Sequence, residues 1–318
     1  MANKKISELS EQIYINSTDD FLVVVDTYAN KTKKARPANL PLSSVAKNQS
    51  IPVTTWIDNG ASYMSDYSII DNSLGFTNLT TLESIYIGSS VTSIGDTSFL
   101  GCIGLSSATI SYSVEELGLS VFSGCTSLTK VSIGEGITNI RDFSFLNCDL
   151  RSVVIPNSVV TVGNNVFQGN TNMRSAIISS NATSLGNSLF LSCTSLLKII
   201  IPDSVASIGD RAFFNCNFLN SITLPTNINF AAIGISMFRN CTALTSVTIP
   251  KSVTSIGNFA FFGCSILTSI NCYAFQPPTI GNSVFDGVAA NAKFHVTQAA
   301  SVNYPPTYGG LEVVADLI

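Results

Sequence analysis

A unit of about 23 residues recurs through most of this chain and restricts it to one kind of architecture. Its clearest copy runs from Leu244 to Cys264 and reads L-T-S-V-T-I-P-K-S-V-T-S-I-G-N-F-A-F-F-G-C. The opening position is filled by Leu82, Leu105, Leu128, Leu150, Met173, Leu196, Leu219, Leu244 and Leu267. All but two of the steps between them are 23 residues; Leu128 to Leu150 is 22 and Leu219 to Leu244 is 25. Self-similarity at so short a period means stacked coils, each touching only its neighbours. Function is therefore sought on a surface and in the non-repeating ends, not in a central pocket.

Within each copy, L-x-x-I-x-I sets two aliphatics two residues apart, as in Val247 and Ile249, so that they share one face of a strand. Pro or Gly usually follows, and a second extended piece, S-V-x-x-I-G, comes next, as at 204–209 and 252–257. The glycine of Ile-Gly is expected to supply a left-handed turn, with Arg141 taking its place once. A phenylalanine then closes each coil: Phe99, Phe122, Phe145, Phe167, Phe190, Phe213, Phe238, Phe261 and Phe285 predict a stacked aromatic spine. The long step holds Thr226-Asn-Ile-Asn-Phe-Ala-Ala232, expected as a surface bulge. Seven of the eight cysteines fall at one slot of the repeat, Cys102, Cys125, Cys148, Cys193, Cys216, Cys241 and Cys264, with Asn170 in the same slot of the fourth coil. Cys272 stands apart. No C-x-x-C pair accompanies them, so they read as a ladder of buried, reduced thiols and not as metal ligands.

These residues resemble the BspA-like leucine-rich repeats of the Treponema pallidum type, from about Leu79 to Val288. The resemblance implies a mainly β solenoid of about nine coils, and a surface used for adhesion or protein contact. The segment 271–287, followed by Ala292-Lys-Phe-His-Val296, is similar to that family's closing cap. The chain accordingly divides into an arm at 1–47, a linker and N-terminal cap at 48–79 (with Trp56, Tyr63, Tyr67 and Asp58-Asn-Gly60), the solenoid at 80–288 and a C-terminal cap at 289–318.

The arm has a different texture. It holds seven of the sixteen basic residues and none of the repeat. Its K-I-S-E-L opening, the stretch Asp19-Asp-Phe-Leu-Val-Val-Val-Asp26, the Lys33-Lys34 pair and the Ala38-Asn-Leu40 ending resemble the attachment segment of tailed-phage fibre and head-fibre proteins. That resemblance implies a virion structural protein, assembled in the host cytoplasm. Its homotrimer would be anchored to capsid or tail proteins through Ile6, Leu9, Phe21, Val23, Val25 and Leu40. One short strand, Phe21–Val25, is expected there, with too few apolar residues for a core of its own. The alternative is a bacterial cell-surface or secreted adhesin of the BspA-like kind. The N-terminus shows charge but no apolar h-region, which argues against a signal peptide.

Other classes find little support. Net charge is −4 with no long basic run, which disfavours nucleic acid. No apolar run approaches a spanning length, so membrane insertion is not expected. One histidine, His295, and the adjacent pairs Asp19-Asp20 and Glu115-Glu116 do not compose a catalytic constellation, and neither an enzyme, a cofactor nor a metal is expected. The outward rows of the strand face are mostly Ser and Thr. Val154, Ile177 and Ile200 interrupt one row in three consecutive coils, beside Arg151, Arg174 and Lys198, and form the candidate contact site for a host-surface protein or glycan.

Overall fold

The computed structural model describes residues 5–6, 11–16, 21–26, 31–35, 53–57, 69–70, 76–89 and 91–318. Beyond the N-terminal strands the described residues wind as a solenoid with two short strands per coil. Each strand pairs in parallel with its counterpart one repeat away: Ser246 lies opposite Ser269, and Ser184 opposite Ser207. In the first strand of a coil the pattern alternates as the sequence dictates, with Ser246 and Thr248 exposed and Val247 and Ile249 buried.

The phenylalanine column is a continuous stack. From Phe99 to Phe285 successive ring centroids lie 5.3 to 5.7 Å apart with interplanar angles of 4 to 14°. Burial of each ring contributes on the order of 1.5–3 kcal/mol, which makes the column a principal source of cohesion between coils. It has one rung more than the repeat count suggested. Phe76 packs on Phe99 at 5.2 Å, Trp56 pairs with Tyr86, and Ile70 pairs with Ile94. Within the segment expected as linker and cap, Val53–Ile57, Ile69–Ile70 and Phe76 thus continue the two ladders and the spine in register. Tyr63, Tyr67 and Asp58-Asn-Gly60 lie outside the described residues.

Each cysteine of the column donates its thiol hydrogen to the carbonyl of the phenylalanine one coil back, as Cys125 does to Phe99 (3.1 Å) and Cys216 to Phe190 (3.2 Å). All eight cysteines are buried and unbridged. Burial pushes the Cys148 and Cys264 thiols up to about 12 and raises Cys193, Cys216 and Cys241 as well, so these thiols are neutral donors.

Three expectations need correction. The Ile-Gly glycines are not left-handed. They permit close approach: a Cβ on Gly209 would sit 2.4 Å from the Asn187 nitrogen, and one on Gly186 would sit 2.3 Å from the Gly163 oxygen. The left-handed residues come later in the coil, four apart, as at Arg211 (φ 57°) and Asn215 (φ 58°). Between them and the glycine runs a ladder the sequence reading overlooked. The Asp or Asn after the glycine accepts a backbone N–H from the next coil, as Asn187 does from Asp210 and Asp210 from Ile235, each at 2.8 Å. Second, the long step is not wholly a surface bulge. Ile228 is exposed, but Phe230 is fully buried and takes the slot that Val205 and Val253 fill elsewhere. Third, the arm has more than one strand. Lys5–Ile6, Glu11–Asn16, Phe21–Asp26 and Lys31–Ala35 form an antiparallel sheet in chain order, with Tyr14 opposite Val23 and Val24 opposite Lys33. The β-favouring Ile13-Tyr-Ile15 sits inside a stretch that reads as merely polar at its ends.

The irregular steps leave a mark on the first sheet. Its ladder breaks between Lys130–Ser132 and Ser152–Val154, at the 22-residue step, and again between Ser221–Thr223 and Ser246–Ile249, at the 25-residue step. At the far end, strands Lys293–Thr297 and Leu311–Leu317 continue the sheet in parallel beyond Ser269–Cys272. Phe294 meets Phe285 edge to face (66°) and ends the stack, and Tyr304 and Tyr308 pack against Phe294 at 6.0 and 4.7 Å. The Tyr304 hydroxyl donates to the Ala274 carbonyl (2.9 Å), tying this cap to the last coil.

Candidate interaction surface

The four strands between the two breaks, Ser152–Val154, Ser175–Ile177, Lys198–Ile200 and Ser221–Thr223, form a sheet of their own. Their middle residues, Val153, Ala176, Ile199 and Ile222, face the core. The residues on either side must therefore face solvent. Val154, Ile177 and Ile200 are 59, 61 and 56% exposed. Val154 lies opposite Ile177, and the pairing of Ser175 with Lys198 carries the row on to Ile200. The row then reverts to a hydroxyl, because Ile200 pairs with Thr223.

The cations flank this row in two columns. Arg174 donates its backbone N–H to Arg151 (2.9 Å), and Leu197 donates its own to Arg174 (3.2 Å), so the outermost column reads Arg151, Arg174, Leu197. Lys198 lies in the serine column between. All three cations are exposed, and among the described residues none has a carboxylate within ion-pairing distance. Leu197, 43% exposed, widens the apolar surface and was missed. Its place in the row of Arg151 and Arg174 was the available signal.

The second sheet offers less. A shallow groove there is lined by Glu116, Asn139, Arg141, Asp142, Thr161 and Asn164. Its polar groups largely answer one another. Arg141 reaches Asp96 at 3.0 Å and Glu116 at 3.6 Å, and Asp142 accepts from the Asn164 amide and backbone. His295 holds Asp316 through Nδ1 at 2.9 Å within the cap. Of the anchor residues, Ile6, Phe21, Val23 and Val25 fall on strands of the N-terminal sheet, whereas Leu9 and Leu40 lie outside the described residues, as does the Asp19-Asp20 pair. Among the described residues no helix is long and apolar enough to cross a membrane, and no three His, Cys, Asp or Glu side chains are placed to share a metal ion.

A coil-by-coil parallel solenoid with an unpartnered outer sheet defines a repeat protein of the protein–protein interaction class. Residues 63–174 and 161–291, more than half of the chain, match the BspA type leucine-rich repeat region in six copies, and the chain belongs to that family. Similar solved structures include the T. pallidum leucine-rich repeat protein (25% identity, covering 55% of this chain and 82% of that one, TM-score 0.49). A leucine-rich repeat protein from Bacteroides ovatus is 22% identical, covers 79% of this chain and 76% of its own, and has a TM-score of 0.47. A leucine-rich cell surface protein from Faecalibacterium prausnitzii is 19% identical, with 95 and 98% coverage and a TM-score of 0.42. No curated protein matches the chain.

Proposed function

We propose that the chain is an adhesin-like surface protein whose solenoid holds a partner against the sheet of Val154, Ile177 and Ile200. One observation carries this reading: three aliphatics more than half exposed in consecutive coils, on a strand face that is otherwise mostly Ser and Thr. Covering them stabilises a complex by roughly 25 cal/mol per Å² before association costs. Arg151, Arg174 and Lys198 favour a partner with acidic groups around an apolar centre. The test replaces Val154, Ile177 and Ile200 by serine together, which restores the pattern of the other coils. Beads coated with this variant adhere less to bacterial or epithelial surfaces than beads coated with the parent. Equal adherence overturns the reading.

A second reading seats the same solenoid on a virion, through a homotrimer anchored by residues 1–47. It is supported by the likeness of that segment to phage fibre attachment regions, and by four strands that, among the described residues, pair only with one another. A chain beginning at Asn48 then keeps its fold, because repeat contacts are local, and fails to join particles. Incorporation of that shortened chain into virions, or a monomer by light scattering of particle-derived protein, refutes it.

A further inference from the structure

The residue after each spine phenylalanine forms a column of its own, half-buried in most coils. That column reads Leu100, Ser123, Leu146, Gln168, Leu191, Phe214, Arg239, Phe262 and Asp286. The guanidinium of Arg239 lies 4.7 Å from the Phe262 ring centroid, 5.4 Å from that of Phe259 and 5.7 Å from that of Phe214. Phe259 and Phe262 meet edge to face at 5.9 Å and form two walls of a slot. The Nε of Arg239 is buried with no hydrogen-bond partner. Among the described residues no carboxylate is within ion-pairing distance of Arg239. The same holds for the exposed Arg211, three residues before Phe214 on its turn.

The three rings hold the guanidinium by cation–π contact, yet they offer its buried Nε–H no acceptor. Leucine fills the same position in three other coils. What the arginine adds is a planar fork of donors, pre-oriented by the rings, so that little side-chain freedom remains to be lost on binding. We propose that this slot binds the carboxylate of an acidic sugar, bidentate on the Arg239 guanidinium, with a C–H face of the pyranose against the phenylalanine edges. A monosaccharide suits it better than an acidic polypeptide. The positive charge is confined to Arg211 and Arg239, and it is bounded by Gln168 and Leu191 on one side and Asp286 on the other. The site is separate from the strand-face stripe and does not depend on it.

The test follows the Arg239 Nε–H resonance of the ¹⁵N-labelled full chain during titration with glucuronate, glucose and acetate. Glucuronate shifts it saturably at roughly 1–10 mM, as one charge-assisted fork and a small contact area allow. Glucose leaves it unmoved and acetate binds about tenfold more weakly, because each lacks one half of the recognition. Arg239→Leu folds, since the column already accepts leucine, and abolishes the remaining shifts in neighbouring residues; Arg239→Lys weakens them. The proposal is overturned by an unmoved Arg239 signal at saturating glucuronate, by glucose or acetate matching glucuronate, by tighter binding of a glutamate-rich peptide, or by undiminished binding to Arg239→Leu.

Discussion

The side-chain oxygen of Asn170 accepts the backbone N–H of Leu150 at 3.1 Å, across one coil of the solenoid. In other coils that N–H is satisfied within its own turn, as Leu128 donates to the Cys125 carbonyl and Leu196 to that of Cys193. Leu150 lacks this option because its coil is one residue short: Cys148 and Leu150 are separated by Asp149 alone. Asn170 repairs the defect while preserving the cysteine's own task. Its Nδ2 donates to the Phe145 carbonyl at 2.8 Å, where a thiol stands in the other coils, and to that of Phe167 at 2.9 Å. The asparagine in the cysteine column and the one deletion in the repeat are thus a single compensated change.

Asn170→Cys restores the repeat consensus and is nonetheless destabilising. It keeps a donor for Phe145 but leaves the buried Leu150 N–H unpaired, at a cost of about 1–3 kcal/mol. Inserting one residue after Asp149 in the same variant returns most of that loss, and in the parent background the insertion gives no gain. Chemical denaturation of the four proteins measures the coupling. Additive effects would separate the two features.

The thiols serve as small neutral donors in tight slots. Cys216→Ala leaves a small cavity and an unanswered Phe190 carbonyl and costs about 1–2 kcal/mol. Cys216→Lys buries an unpaired charge and unfolds its coil. Thermal melts of both variants decide, and an unchanged melting temperature for the lysine variant would show that the slot is open to water.

Stability falls in alkali. A cysteine ionises near pH 8.5 in an unfolded chain, whereas burial holds Cys148 and Cys264 up to about 12 and raises Cys193, Cys216 and Cys241. Their contribution is complete below about pH 8.5 and is lost as the pH climbs toward the folded-state values, by up to about 1.4 kcal/mol per thiol per pH unit. Melting temperatures at pH 7.5, 9 and 10 follow this decline, and Cys216→Ala shows a shallower one. A flat profile would place the thiols in contact with solvent.

Much of the solenoid is written along the chain, because each coil repeats the same solution to the same packing problem. The aliphatic pair of each first strand, the phenylalanine spine, the thiol ladder and the outward row of Val154, Ile177 and Ile200 are all periodic, and period alone assigns their faces. What escaped depends on contacts between coils. The Ile-Gly glycines are dictated by backbone of the neighbouring coil, not by their own dihedral angles, and spacing cannot distinguish the two. Phe76 is a spine residue whose coil lacks the L-x-x-I-x-I opening, so the repeat count stopped one coil short. Phe230 moved inward because a two-residue insertion shifted the turn and not the core slot. Leu197 joins the contact surface only through the rows of adjacent coils, and the Arg239 slot takes Phe214 from the coil before and Phe259 and Phe262 from the coil after.

The central claim, that the stripe on the strand face is a contact surface and not a structural element, is tested most directly by Ile177→Asp. The account predicts a melting temperature within a degree or two of the parent, since a residue 61% exposed has little to lose on folding. It also predicts a loss of adherence of at least about tenfold, as a carboxylate is buried against the partner's apolar centre. Unfolding of the variant, or full adherence of a folded one, would contradict it.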